Sequence, residues 1–201
     1  ASRKIISYGF ISGENIEHAR EECARLKNMK KLQDLKLPIV MPTVDIKENK
    51  KYVSTNHEND DEFPEDTYLN KISIGKAVRA SASYPGVFSP TMYEGHKFVD
   101  GGIIDNLPAH EVRKLGAEKV LSVRFSSKNN TDPKNLIEVG LKSVDLLFDQ
   151  RTAAEVANSD LALTLDLEEA SVFNIKKIDY CYEQGYKCAI ENMYKIKEIF
   201  K

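Results

Sequence analysis

The residues best placed to do chemistry lie in YEGHKFVDGGIIDNLP, Tyr93 to Pro108. There Asp100 closes an apolar run, Gly101 and Gly102 follow it, and a second acid, Asp105, precedes Asn106 and Pro108. A carboxylate at the C-terminal end of a strand stands where open α/β sheets place their sites, and it can act as a general base. Two glycines after a strand let the backbone take a positive φ and let another segment approach closely. An Asp-Gly pair is equally at home in a turn, where the aspartate hydrogen-bonds its own backbone. These residues alone leave both roles open.

Other site types find less support. The glycines form no G-x-G-x-x-G and no G-x-x-x-x-G-K, so the usual nucleotide loops are absent. A serine hydrolase of the α/β type needs G-x-S-x-G on a sharp elbow, and the nearest approach, GFISG at 9–13, has Ser12 one place too late. Ser12 therefore reads as a loop or helix-cap serine. Ser73 and Lys76 match S-x-x-K, but neither S-D-N nor K-T-G follows, and Ser73 is better explained as an N-cap. A metal set of His96, Asp100, Asp105 and His110 would offer nitrogen and oxygen ligands from one short region, with zinc as the fitting ion. Its spacing matches no ligand motif, so solvent-exposed histidines are the simpler reading and no metal or cofactor is expected.

Strand and helix alternate on either side of Asp100. Ile16, Ala19, Cys23 and Leu26 fall at helical spacing among charges in 14–28. LPIVMPTVDI at 37–46 and KKYVST at 50–55 read as a strand pair joined by the polar turn Lys47 to Lys50, and the acid-rich stretch 56–66 reads as an exposed loop. A helix follows from Ser73 to Ala82, ended by Pro85 and Gly86. After the D-G-G turn come a helix with Asn106 as cap and Gly116 as terminator, then the strand KVLSVRFS. Strand, helix and strand in this span predict a βαβ unit and a parallel sheet. A helix over 135–156, a strand at 161–167 and a C-terminal helix from about Ile175 complete the chain. No repeat or linker interrupts it, so residues 1–201 are expected to form one α/β domain, a three-layer α/β/α with a mainly parallel sheet.

Composition bounds the function. With 29 Lys and Arg against 31 Asp and Glu, the formal charge of -2 offers no basic excess for a phosphate backbone, so nucleic acid is not an expected partner. Three cysteines without C-x-x-C spacing argue against a disulfide framework and fit a reducing, cytoplasmic compartment. No apolar run reaches the length of a spanning helix.

AVRASASYPGVFSP at 77–90 followed by FVDGGIIDNLPAHEVRKLGAEKVLSVRF at 98–125 closely resembles the C-terminal catalytic half of patatin-like phospholipases. The parts occur in the same order: an Arg-Ala-Ser helix end, a Pro-Gly-Val-Phe turn, D-G-G, Asn-Leu-Pro, and a helix ending in Leu-Gly-Ala before a strand. Upstream, GFISGENIEHA and LKLPIVMPTVDIKENKKYVST are similar to the family's helix and strands between its two catalytic segments, so the likeness covers roughly residues 8–126. It implies a Ser-Asp dyad that hydrolyses lipid acyl esters, with Asp100 as base, Gly101 and Gly102 as its supporting turn, and no cofactor. The family's G-x-S-x-G serine and glycine-rich oxyanion loop are not in this sequence. The expectation is therefore a fold incomplete at its N-terminal side, inactive alone, with an apolar sheet edge awaiting the missing N-terminal segment of the same protein. The substrate would be a lipid or acyl ester, met at a membrane or micelle surface in transient contact. The alternative is a non-catalytic patatin-fold interaction or regulatory protein.

Overall fold

The computed structural model describes residues 11–29, 31–58, 60–61, 63–64, 67–126, 132–167 and 177–201. The chain opens with helix α1 (Glu14–Leu26) and a short 3-10 turn (Leu32–Asp34), then strands β1 (Val40–Asp45), β2 (Lys50–Thr55) and β3 (Tyr68–Leu69). Helix α2 (Ile74–Ser81) leads to β4 (Thr91–Tyr93) and β5 (His96–Asp100), followed by the short helices α3 (Gly102–Asp105) and α4 (Ala109–Lys114). The remainder is β6 (Leu121–Ser126), α5 (Leu136–Val156), β7 (Leu161–Asp166), α6 (Ile178–Glu191) and α7 (Met193–Ile199). The first residues expected in the C-terminal helix, around Ile175, lie outside the described residues.

The class is α/β, as the sequence predicts, but the sheet is mixed rather than mainly parallel. Five strands run in the order β3-β2-β1-β5-β4, and β6 and β7 pair separately. Within the five, β1 is antiparallel to both β2 and β5, β4 is antiparallel to β5, and β2 with β3 is parallel. Connection length explains this, since a parallel pair needs a crossover of a dozen or more residues while a short turn can join only antiparallel strands. Four residues link β1 to β2, and Glu94 and Gly95 alone link β4 to β5. Their φ values of 47° and 86° are those of a type I′ hairpin turn, whose twist matches that of the strands it joins.

The predicted βαβ unit also shifts along the chain. β5 and β6 do not pair; the parallel ladder is Leu121–Ser126 against Leu161–Asp166, with α5 as its crossover. The expected hairpin of 37–46 with 50–55 forms, with Val40 opposite Thr55 and Asp45 opposite Lys50.

The core lies on both faces of the five-stranded sheet, with α2 covering one of them. Leu32, Ile72 and Ala77 form one buried cluster, Tyr52, Ala80 and Phe98 a second, and Val53, Phe63 and Tyr68 a third. Phe63 belongs to the stretch read as an exposed loop, yet it is buried, with its ring 4.9 Å from Tyr68 and 4.4 Å from His57. The polar residues around it hide an anchor that pins the loop to β2 and β3. No helix among the described residues is long and apolar enough to cross a membrane.

Candidate active site

Asp100 ends β5, a strand flanked by β1 on one side and β4 on the other. Its neighbour across the ladder is Thr43, whose fully buried hydroxyl donates to the Val99 carbonyl at 2.7 Å. The Asp100 N–H donates to the Ser83 carbonyl at 3.0 Å, so the end of β5 is tied to the exit of α2. The Gly102 N–H donates to Asp100 Oδ1 at 2.8 Å. This is the turn-forming bond that Asp-Gly sequences favour, and it uses one carboxylate oxygen only. Oδ2 takes no hydrogen bond from the described residues. Burial pushes the Asp100 carboxyl above its ordinary value, and the Gly102 N–H offsets part of that rise.

The two glycines are required for room rather than for positive φ. Gly101 is in the right-handed helical region at φ -65° and ψ -21°, and Gly102 is not among the glycines of positive φ. A Cβ on Gly101 would fall 2.3 Å from the carbonyl oxygen of Pro42, on the neighbouring strand β1. A Cβ on Gly102 would fall 2.8 Å from Phe148 Cε2 and 2.9 Å from Asn106 Oδ1. The two crowding partners differ in kind. Pro42 offers backbone in a sheet, whereas Phe148 and Asn106 are side chains that can give way. Gly101→Ala is therefore expected to cost stability at the upper end of the roughly 1–3 kcal/mol typical of overpacking, and more than Gly102→Ala. Urea midpoints of the two variants check the ranking.

Helix α5 closes the site on one side. Tyr84, in the type II turn Tyr84-Pro85-Gly86-Val87 with Gly86 at φ 81°, donates its hydroxyl to Asp145 Oδ1 at 2.5 Å. Its ring meets Phe148 edge-on at 5.5 Å. Burial, then Asp145, then the charge of Asp100 hold the Tyr84 phenol above its usual range, so it stays protonated. Asn106 donates to Thr152 Oγ1 at 2.9 Å, which binds the end of α3 to α5. It is therefore not the cap of α4, a position that Pro108 occupies.

Beneath α3 lies a charged cluster. Lys51 donates to Asp105 Oδ2 at 3.0 Å and to Glu111 Oε1 at 2.6 Å, while the Tyr68 hydroxyl donates to Glu111 Oε2 at 2.7 Å. Burial would raise Glu111, but the bonds from Lys51 and Tyr68 and the charges of Lys51 and Lys114 outweigh it and hold the carboxyl below its usual range.

The remaining sequence candidates separate. His96, Asp100, Asp105 and His110 do not converge: His96 Nδ1 lies 2.6 Å from Asp45, Asp105 faces Lys51, and His110 is on α4. The short-region metal reading fails because a strand spreads its residues along its length, which puts His96 and Asp100 at opposite ends of β5. Ser73 caps α2 as expected, its hydroxyl accepting from the Lys76 N–H at 3.4 Å. The Ser12 hydroxyl accepts from the Glu14 N–H at 3.4 Å at the start of α1. Tyr84, Asp145, Phe148 and Lys51 were not singled out by the sequence. Only the Pro-Gly turn beside Tyr84 carried a local signal, since the other three act across long sequence separations.

Comparison with known proteins adds to this geometry. The family model for patatin-like phospholipase matches residues 8–113. Lysophospholipase NTE1 of Meyerozyma guilliermondii is 40% identical over 58 residues, covering 29% of this chain and 4% of that protein. Patatin-like phospholipase domain-containing protein 7 of Mus musculus is 32% identical over 108 residues, covering 53% of this chain and 7% of its own length. Lysophospholipase NTE1 of Mycosarcoma maydis is 25% identical over 142 residues, covering 57% of this chain and 8% of its own. The chain spans a small fraction of the length of these relatives.

Proposed function

Because this chain belongs to the patatin-like phospholipase family, we propose that it is the base-bearing part of a lipid ester hydrolase, with Asp100 as general base and the serine supplied by sequence outside these 201 residues. The observation that carries this reading is the Asp100 carboxylate, buried at the end of β5 with Oδ1 fixed by Gly102 and Oδ2 uncommitted. Oδ2 accepts the proton of the serine hydroxyl as the oxygen attacks the acyl carbonyl, and returns it to the departing alkoxide. Water then repeats the exchange at the acyl-enzyme and releases the fatty acid. No histidine is needed, and among the described residues His96 is engaged elsewhere.

Further support comes from apolar surface. Val123 and Phe125 on β6 are 49% and 66% exposed, and Leu136, Leu146 and Leu147 on α5 are exposed as well. Two-stranded parallel sheets normally have both faces covered and both edges protected. The complementary N-terminal segment is the partner this reading assigns to that surface, and a lipid or acyl ester, met in transient contact with a membrane or micelle, is the substrate. Residues 1–201 are read as the downstream portion of one such domain, of cytoplasmic location.

The test compares the full-length protein with the 201-residue chain. Full-length protein is expected to hydrolyse a lysophospholipid or a p-nitrophenyl acyl ester and to be labelled on a serine by a fluorophosphonate; the isolated chain should do neither. Turnover by the isolated chain that Asp100→Ala abolishes would show that the site is not divided in this way. Absence of both activity and labelling in the full-length protein would remove the hydrolase reading.

A further inference from the structure

At the end of β5 away from Asp100, Asp45, Glu48 and His96 bring two carboxylate oxygens and an imidazole nitrogen within 4.8 Å of one another. Asp45 closes β1 and is fully buried, Glu48 stands exposed in the turn between β1 and β2, and His96 opens β5. His96 Nδ1 lies 2.6 Å from Asp45 Oδ2 and 3.7 Å from Glu48 Oε1.

What separates this group from a chance meeting of surface charges is how each carboxylate is divided. Asp45 Oδ1 accepts the N–H groups of Lys47 at 2.8 Å and Lys97 at 3.3 Å, which leaves Oδ2 facing the imidazole. Glu48 Oε2 accepts the Tyr52 hydroxyl at 2.8 Å, which leaves Oε1 facing the same nitrogen. The ring of His96 is held too, stacked on Phe98 at 5.3 Å and tilted against Tyr52 at 4.9 Å. Metal ligands are held in this manner, their non-ligating atoms hydrogen-bonded by outer residues that aim the ligating ones.

We propose that Asp45, Glu48 and His96 form a binding site for a zinc-class divalent cation that clamps the β1–β2 turn to the β4–β5 hairpin, whose second strand ends in Asp100. One imidazole nitrogen with two carboxylate oxygens suits zinc in a four-coordinate site, a water taking the fourth place. Bonds of about 2.0–2.2 Å separate tetrahedral donors by roughly 3.3 Å, so His96 and Asp45, now 2.6 Å apart, part by about 0.7 Å to admit the ion. The neutral imidazole ligates through Nδ1 and carries its hydrogen on Nε2. Calcium, which takes 6–8 oxygens, is poorly served by this donor set. The site stands apart from the hydrolase reading and survives its failure.

Cobalt substitution gives the test, because its visible spectrum reports ligand type and the free thiols of Cys23, Cys181 and Cys188 are the competing ligands. Full-length protein, stripped with chelator, is titrated with Co²⁺ and then with Zn²⁺ as competitor. The expected result is a visible ligand-field band without a thiolate charge-transfer band, displaced by Zn²⁺ and not by Ca²⁺. Glu48→Gln and His96→Ala should each abolish that band, and Tyr52→Phe should weaken binding about 10- to 100-fold through the outer shell. Glu48 is exposed, so its variant is expected to fold as wild type. No uptake, uptake unchanged in Glu48→Gln and His96→Ala, or a thiolate spectrum would overturn the proposal.

Discussion

Asp100→Asn in the full-length protein is expected to lower kcat on an acyl ester by about 10²- to 10⁴-fold, the usual contribution of a positioned general base. The substitution keeps the shape of the side chain and the Gly102 bond to Oδ1, and removes only the ability to take a proton at Oδ2. Stability should move the other way or not at all. The folded carboxyl is raised by burial, so its stabilising contribution is present below the ordinary aspartate value and is lost as pH rises through the folded value. At pH 7 the neutral amide escapes that loss, and the melting temperature should equal or exceed that of wild type. The same sign places the acid limb of wild-type kcat/KM above the ordinary aspartate value of about 4. A variant that keeps its activity removes Asp100 from the chemistry, and one that loses activity together with many degrees of melting temperature assigns it a structural role.

Lys51→Met is expected to destabilise the fold by about 3 kcal/mol, the lower end of what removing one partner from a buried ion pair costs. Asp105 and Glu111 are 7% and 3% exposed in their side chains, so both carboxylates would lose their cation while remaining out of water. Lys51 itself is 29% exposed, which is why the lower end applies. Glu111 keeps the Tyr68 hydroxyl and the Lys114 ammonium at 3.8 Å; Asp105 pairs with no other cation among the described residues. The pH dependence follows from Glu111, whose folded value is depressed. Its stabilisation is present above the ordinary glutamate value and is lost as pH falls through the folded one, so wild type should weaken in acid and the variant should be less sensitive there. Urea midpoints at pH 4 and pH 7 for both proteins measure this, and coincident midpoints would show that the cluster contributes nothing.

Local chemistry made much of the architecture legible. Ser73 before a helical period, the β-branched run at 40–45 and the apolar run at 161–166 are signals written within a few residues, and each element forms where they stand. Pairing was less readable. KFVDGG suggested a strand feeding a parallel crossover, whereas the two-residue turn Glu94-Gly95 makes that strand the second half of an antiparallel hairpin. The buried Phe63 was masked by the acids around it, because burial of one aromatic in a polar stretch depends on partners such as His57 and Tyr68 rather than on the average of its neighbours.

By itself the sequence determined most of the helix and strand segments and the order of parts that the family shares, and it pointed to Asp100, because spacing, capping and turn chemistry act over short separations. Only the tertiary structure decided why Gly101 and Gly102 must be glycine, since the groups that crowd them, Pro42 and Phe148, lie 59 and 46 residues away in sequence. It decided likewise that His96 joins Asp45 and Glu48 rather than Asp100, because a strand holds its two ends apart while a ladder brings distant hairpins together.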